Sequence, residues 1–157
     1  MPSDLSAICE ELRQIGLRPE TPAGREKLEE ALSSKWDGVK VAAAKALSQW
    51  GDPRSLCSLK VLLSTLVAKP GRLGGVSAVA RLLATHMQAS DLDWAIEVFI
   101  HQSRAANRHA VHLLFGAFDP NEVRRRLVSQ KLHGGKLERD VREAIGRAEW
   151  RARKERI

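Results

Sequence analysis

Six prolines divide this chain at places where helices can begin, and they constrain its fold more than any other feature. None of them lies inside a segment with helical apolar periodicity. Because proline lacks an amide donor and clashes in helix interiors, it is favoured in the first turn of a helix. Three prolines follow a residue that can cap the free amides there, in Thr21-Pro22, Asp52-Pro53 and Asp119-Pro120. These dipeptides therefore predict helix starts.

Strand signals are nearly absent, since the chain has no tyrosine and no long alternation of apolar and polar residues. Short links between the helices predict that sequential helices are antiparallel neighbours. The predicted helices span residues 3–15, 22–34, 37–50, 53–68, 72–88, 91–103, 105–117, 120–131 and 136–153. The sequence therefore predicts an all-α fold.

These helices form pairs that recur along the chain. The second helix of a pair carries an apolar anchor at Val39, Val76 or Val141, whereas Arg108 stands at this place in the third pair. The intervals of 37, 32 and 33 residues are typical of stacked helical hairpins. A single hairpin is too small to bury its own apolar face, so neighbouring hairpins are expected to stack.

The segment "VKVAAAKALSQWGDPRSL", residues 39–56, resembles the HEAT repeat, in particular the short form of the phycobilisome-lyase type. Small and apolar residues in its first helix share one stripe, and Gly51 and Asp52-Pro53 suit a helix end followed by a new start. The matching positions are Val39, Lys40 (for the usual Arg), Ala43, Ala46, Leu47, Gly51, Asp52, Pro53, Leu56 and Leu59.

The resemblance extends, more weakly, over about residues 22–150. It implies a right-handed α-solenoid of about four antiparallel helical hairpins with an N-terminal capping helix. In one domain, residues 1–157, the cap would span 1–20, the hairpins 21–153 and a tail 154–157. The concave face would bind the partner, since solenoids commonly bind there. The candidate partner-binding residues are Trp36, Lys40, Val41, Ala44 and Lys45.

Positive charge is concentrated near the C-terminus. The net charge is +7, and residues 120–157 hold 12 Lys or Arg against 6 Asp or Glu. Charge pairs four residues apart, such as Arg139–Glu143, Glu143–Arg147 and Glu149–Arg153, favour a solvated helix face. The alternative is a basic strip that contacts an acidic partner or phosphates. The candidate contacts are Arg124, Arg125, Arg139, Arg142, Arg147 and Arg151.

No arrangement of residues in the sequence predicts catalysis, a metal site or a cofactor. His109 and His112 are three residues apart but lack further ligands, and Arg104 and Arg108 nearby would repel a cation. "HGGK", residues 133–136, lacks the context of a phosphate loop and is interpreted as a turn. Cys9 and Cys57 are expected to be buried thiols, with a disulfide as the minor alternative.

The N-terminus lacks the basic and apolar regions of a signal peptide, and no run of about 18 apolar residues occurs. We therefore expect a cytoplasmic protein that does not enter a membrane.

Three functions remain open. The first is a non-catalytic scaffold or adaptor that binds another protein through the concave face, with the basic C-terminal hairpin steering an acidic partner. The alternative is binding of a DNA or RNA phosphate backbone, in the manner of HEAT-like DNA-binding proteins. The HEAT resemblance also implies an enzymatic or accessory role, since some HEAT-like proteins are alkylpurine DNA glycosylases or bilin lyases, but no catalytic acid can be placed and no small-molecule substrate is evident.

Overall fold

The computed structural model describes residues 2–68, 73–100, 111–129 and 135–155. Within these ranges every regular element is helical, so the all-α prediction is confirmed for them. Two short 3₁₀ segments occur there, at Ala89–Asp91 and His112–Ala117. The α-helices are α1 (Pro2–Leu17), α2 (Pro22–Ala31), α3 (Asp37–Trp50), α4 (Pro53–Ala68), α5 (Leu73–Ala84), α6 (Leu92–Ile100), α7 (Pro120–Ser129) and α8 (Gly135–Glu155).

The helix boundaries inferred from proline are confirmed at α2, α4 and α7, each of which begins at its proline. Thr21 Oγ1 accepts a hydrogen bond from the Gly24 amide at 3.0 Å, and Asp119 Oδ1 accepts one from the Asn121 amide at 2.9 Å. Gly51 ends α3 in the left-handed conformation, with φ 65°. Glycine adopts that conformation without a steric penalty, so the Gly-Asp-Pro turn forms as predicted.

Two predicted boundaries differ from the structure. The helix predicted from residue 91 is preceded by the 3₁₀ turn Ala89–Asp91, whose N-cap is Gln88, and α6 itself begins at Leu92. The Gln88 amide donates to Asp91 Oδ2 at 2.9 Å. In the part of the predicted helix 105–117 that the structure describes, residues His112–Ala117 form a 3₁₀ segment, followed by extended Phe118. The first part of that predicted helix, with Arg108 and His109, lies outside the described residues, as do His101 and His133.

The chain folds into two compact units, Met1–Leu66 and Val67–Ile157. Each unit buries its own apolar residues. The right-handed solenoid, its number of hairpins and the single domain over residues 1–157 stay predictions.

In the first unit, α3 packs most extensively against α1 and also contacts α2. Its predicted stripe is buried, with Val39, Ala43, Ala46 and Leu47 each 5% exposed or less. The two helices approach so closely at Gly16 that a Cβ atom there would lie 2.6 Å from Ala46 Cβ and 2.7 Å from Ala46 Cα. Small residues on both helices therefore determine how near α1 lies to α3.

We expect Gly16→Ala to lower the free energy of unfolding by about 1–3 kcal/mol, because the added methyl group overlaps backbone atoms of α3. The matched change is Gly146→Ala in α8, where a Cβ atom would meet nothing within 4 Å. There alanine favours the helix, and we expect a gain of about 0.5–1 kcal/mol. Urea denaturation followed by circular dichroism measures both changes. A stabilised Gly16→Ala variant would contradict the close approach.

In the second unit, the 3₁₀ segment His112–Ala117 packs against both α5 and α8, and α7 packs against α8. Phe115, on this segment, is fully buried and contacts Phe99 edge to face, with ring centroids 5.3 Å apart. Phe118 lies beside Phe115, with ring centroids 6.4 Å apart. This aromatic cluster holds the segment in the core and so positions the residues that face outward from it.

The prediction that both thiols are buried is wrong for Cys57, which is exposed, while Cys9 is half-buried. The buried stripe of α4 runs through Leu59, Leu62, Leu63 and Leu66. Cys57 precedes Leu59 by two residues, about 200° around the helix, and so lies on the opposite face. Both cysteines are free thiols.

Candidate functional site: an arginine-lined cavity

A buried arginine organises the polar interior of the first unit. Arg25, in α2, is 3% exposed. Its Nε donates to Glu20 Oε1 at 2.6 Å, and its Nη2 donates to Asp52 Oδ2 at 2.8 Å. Its Nη1 donates to Ser55 Oγ at 3.2 Å. Arg25 therefore joins α2 to the turn between α3 and α4 and to the first turn of α4.

The same cluster holds Asp52 ionised and positions Trp50. Partial burial disfavours the Asp52 carboxylate, but hydrogen bonds from Ser55 and Arg25 outweigh burial and lower the pKa of Asp52. The hydrogen bond to Glu20, followed by those to Asp52, raises the pKa of Arg25 despite burial. Arg25 lies 5.3 Å above the Trp50 ring, whose Nε1 donates to the Arg18 carbonyl at 3.0 Å. Because each of its three nitrogens donates a hydrogen bond within the first unit, Arg25 is structural.

The five residues predicted to bind a partner lie in very different environments. Ala44 is fully buried and Lys40 is 7% exposed, so both contribute to the interior of the first unit. Val41 is half-buried, whereas Lys45 is exposed. Trp36 is 47% exposed, with Lys35 Nζ 5.2 Å from the centroid of its ring. Only Trp36 and Lys45 of this set are exposed.

Trp36 directly precedes α3, which begins at Asp37 as predicted. Trp36 is therefore the N-cap of this helix. The Trp36 carbonyl accepts hydrogen bonds from the amides of Val39 and Lys40, both at 3.1 Å. The indole cannot accept from the free amides, so this cap lacks a side-chain hydrogen bond.

The consecutive arginines of α7 are engaged in ion pairs. Arg124 pairs with Glu149 of α8, and Arg126 pairs with Asp93 of α6. Arg125 pairs with Glu122 at 2.7 Å within α7, and this hydrogen bond raises the pKa of Arg125. These pairs link α7 to its neighbours and neutralise much of its charge.

The arginines of α8 are only partly neutralised. Arg139 pairs with Glu143 at 3.5 Å, as predicted, and Arg151 pairs with Glu155 at 3.5 Å. Glu149 contacts Arg124 rather than the predicted Arg153. No carboxylate of the described residues pairs with Arg147, and Arg142 is exposed. Free positive charge on α8 is therefore limited to a few positions.

Arg147 faces a cavity of about 520 Å³ in the second unit. Residues of α5, of the His112–Ala117 segment and of α8 line it. Its charged residues are Arg81, Arg147, Arg151 and Glu155. Thr85 adds a hydroxyl, and Ala84, Met87, Leu113 and Ala117 contribute apolar wall. Among the described residues, positive charge thus exceeds negative charge by two at this cavity.

Arg147 is the most constrained of these arginines. Its guanidinium carbon lies 4.9 Å from the centroid of the Trp150 ring, and Lys154 Nζ lies 4.8 Å from the same centroid. Its Nε is buried and has no hydrogen-bond acceptor among the described residues. Gly116 lies against it, since a Cβ atom there would be 3.6 Å from this Nε. Stacking on Trp150 thus orients a guanidinium that retains unused donors.

Arg81, the fourth charged residue of this cavity, was not predicted from the sequence. The predicted contacts came from the positive charge of α7 and α8, whereas Arg81 lies in α5, more than 60 residues before Arg147. The sequence does mark Arg81 as unusual, because it is the single charged residue of α5. It stands off the buried stripe of Val76, Val79 and Leu83.

The described part of the chain offers neither a metal-binding cluster nor a membrane-spanning helix. No group of three or more His, Cys, Asp or Glu residues there could hold a metal ion. None of the helices described is both long and apolar enough to cross a membrane. His112 lies on the 3₁₀ segment and is half-buried, while its predicted neighbour His109 lies outside the described residues.

Comparison with models of protein families, with curated proteins and with solved structures yields no match to this chain. The assignment of function therefore depends on the residues themselves.

Proposed function

We propose that this protein is a non-catalytic HEAT-like adaptor that binds another protein. The arginine-lined cavity of the second unit would receive an acidic group of the partner. In the first unit, considered by itself, Trp36 and Lys45 stay candidate contacts because they are exposed. The observation that carries the proposal is the set of Arg81, Arg147 and Arg151 at one cavity with one carboxylate, Glu155. Arginine binds carboxylates and phosphates through paired hydrogen bonds.

The distribution of ion pairs supports a protein partner over a nucleic acid backbone. Arg124, Arg125 and Arg126 are each paired with a carboxylate, so α7 offers little free charge to a row of phosphates. A cavity lined by three elements, with its arginines grouped at one place, suits one acidic group, whereas backbone binding needs charge spread along a groove. Nucleic acid binding remains the second candidate, because Arg142, Arg153 and Lys154 are exposed on α8.

The test compares two double variants that remove the same charge. Arg81→Gln/Arg147→Gln removes two cavity arginines, whereas Arg142→Gln/Arg153→Gln removes two exposed arginines that do not line the cavity. Affinity purification from the native cell, with and without nuclease, is followed by quantitative mass spectrometry. We expect a protein partner that survives nuclease, is lost with the first variant and is retained with the second.

The nucleic acid alternative makes the opposite prediction. Captured material would disappear with nuclease, and both double variants would bind random duplex DNA more weakly by similar factors. That binding would also fall steeply between low and moderate salt, because it depends on counterion release. This combination of results would overturn the adaptor proposal.

A further inference from the structure

The charge balance of the arginine-lined cavity indicates what kind of anion it would take. Three guanidinium groups and one carboxylate leave an excess of two positive charges. Arg151 is already shared with Glu155 at 3.5 Å, whereas no described carboxylate pairs with Arg81 or Arg147. A glutamate or aspartate side chain would neutralise one of these two charges. A phosphomonoester carries a charge of about −1.5 to −2 at neutral pH and would neutralise both.

The donors at the cavity also suit a tetrahedral anion. Each arginine presents its N–H groups in a fixed planar fork that matches phosphate oxygens. The buried Nε of Arg147 lacks an acceptor among the described residues and is shielded from solvent. A phosphate in the cavity would therefore contact the terminal nitrogens of this guanidinium. Stacking on Trp150 holds the guanidinium in place before any ligand arrives, so less side-chain freedom is lost on binding.

The size and the walls of the cavity suit a side chain that carries the phosphate. A volume of about 520 Å³ lies within the range of about 300–1,000 Å³ that is usual for ligand sites, and it exceeds what a phosphate group alone fills. Ala84, Met87 and Leu113 provide apolar wall for the carbon atoms beside the phosphate. The Thr85 hydroxyl donates to the Leu82 carbonyl at 2.7 Å, so its oxygen can only accept a further hydrogen bond. Thr85 would therefore contact the side chain or backbone of the ligand rather than the phosphate.

From these observations we propose that the cavity formed by α5, the His112–Ala117 segment and α8 binds the phosphomonoester dianion of a phosphorylated side chain on the partner protein. Arg81 and Arg147 contact the phosphate, and Arg151 contributes through its shared pair with Glu155. This inference rests on the proposed adaptor function and adds that phosphorylation of the partner controls binding.

The experiment presents the full-length protein with four pools of peptides that share randomised flanking residues. The central residue is phosphoserine, serine, glutamate or the methyl phosphodiester of phosphoserine. The phosphodiester keeps the tetrahedral phosphate but carries a single negative charge, as a nucleic acid backbone does. We expect the phosphoserine pool to be retained at least about tenfold better than each of the others, since every other pool lacks at least the second negative charge of the dianion and the hydrogen bonds that this charge strengthens.

Three single variants locate the site. We expect Arg147→Gln and Arg81→Gln each to lower retention of the phosphoserine pool about tenfold or more. The matched change Arg153→Gln removes the same charge from the same helix as Arg147, outside the cavity, and we expect less than a twofold loss. Arg81 is exposed, so its variant keeps the test valid if Arg147→Gln were to unfold the unit.

Any other result would refute the inference in part or entirely. Equal retention of the glutamate and phosphoserine pools would refute the phosphate assignment and leave the adaptor proposal standing. Equal retention of the phosphodiester pool, or an equal loss with Arg153→Gln, would indicate non-specific charge attraction. Free O-phosphoserine that binds as tightly as the best peptide would assign the cavity to a small phosphorylated molecule and refute the peptide ligand. Retention of no pool refutes the inference entirely.

Discussion

We expect Arg25→Met to lower the free energy of unfolding by about 3 kcal/mol. This value is the lower end of the range for removing one partner of a buried ion pair. Methionine retains the length and the apolar stem, so the loss comes from the charge and its hydrogen bonds. Asp52 and Ser55 would each lose a donor from a guanidinium that is 3% exposed. Asp52 is itself 30% exposed, and water reaching it limits the penalty. Urea denaturation followed by circular dichroism measures the change.

The control for this variant is Arg54→Met. Arg54 also pairs with a carboxylate, Glu29 at 3.1 Å, but it is 67% exposed. Exposed ion pairs contribute about 0–1 kcal/mol, so we expect a loss below 1 kcal/mol. Equal losses for the two variants would show that burial of Arg25 has no special effect and would refute the interpretation of the cluster.

The pKa of Asp52 supplies a second readout of the Arg25 cluster. Because the folded state lowers this pKa, ionised Asp52 stabilises the fold above its ordinary pKa, and that stability is lost as the pH falls through the folded value. Arg25→Met removes one of the hydrogen bonds responsible and also the positive charge of Arg25. We therefore expect the pKa of Asp52, followed by NMR titration of its side-chain carbon, to rise in the variant. An unchanged pKa would contradict the role assigned to Arg25.

Phe115→Ala is expected to lower the free energy of unfolding by about 4 kcal/mol, as for other large-to-small changes of a buried phenylalanine. Phe115 is fully buried and contacts the rings of Phe99 and Phe118. The change would leave a void between α5 and α8, against which the His112–Ala117 segment packs. Urea denaturation provides the measurement, and binding of the phosphoserine pool would fall with the same variant because this segment lines the cavity.

Two further variants test whether the loss comes from this packing. Phe115→Leu keeps most of the apolar volume, and we expect a loss below about 1.5 kcal/mol. Val128→Ala removes apolar atoms from a side chain that is 66% exposed, and we expect a change within about 0.5 kcal/mol. A loss below about 1 kcal/mol for Phe115→Ala would indicate that the segment is held mainly by other interactions.

The helices could be predicted from local residues because their signals act within a few positions. A proline that cannot continue a helix, a side-chain oxygen that accepts from first-turn amides and a glycine that adopts positive φ each determine a boundary by themselves. Thus α2, α4 and α7 begin at their prolines, and Gly51 ends α3. The stripe of Val39, Ala43 and Leu47 is buried as expected for the same reason, since helical spacing places it on one face.

The candidate site could be predicted only in part because its residues are distant in the chain. Arg147 and Arg151 were identified from the charge of α8, but Arg81 was not. Likewise, Lys40 and Ala44 were expected at a binding surface and are buried, because the packing of α3 against α1 and α2 decides which face remains exposed. Charge alone did not distinguish Arg124, which pairs with Glu149, from Arg147, which pairs with no described carboxylate.

The sequence by itself determined that the described chain is helical, where most of its helices begin, and which apolar stripe α3 buries. Those properties depend on covalent geometry and on hydrogen bonds within one turn of a helix. Only the tertiary structure decided that Arg25 reaches Asp52 and that Arg81 lines one cavity with Arg147 and Arg151. Arg25 and Asp52 are 27 positions apart, and Arg81 is farther still from the arginines of α8. Both arrangements therefore arise because helices pack together, rather than from local preference.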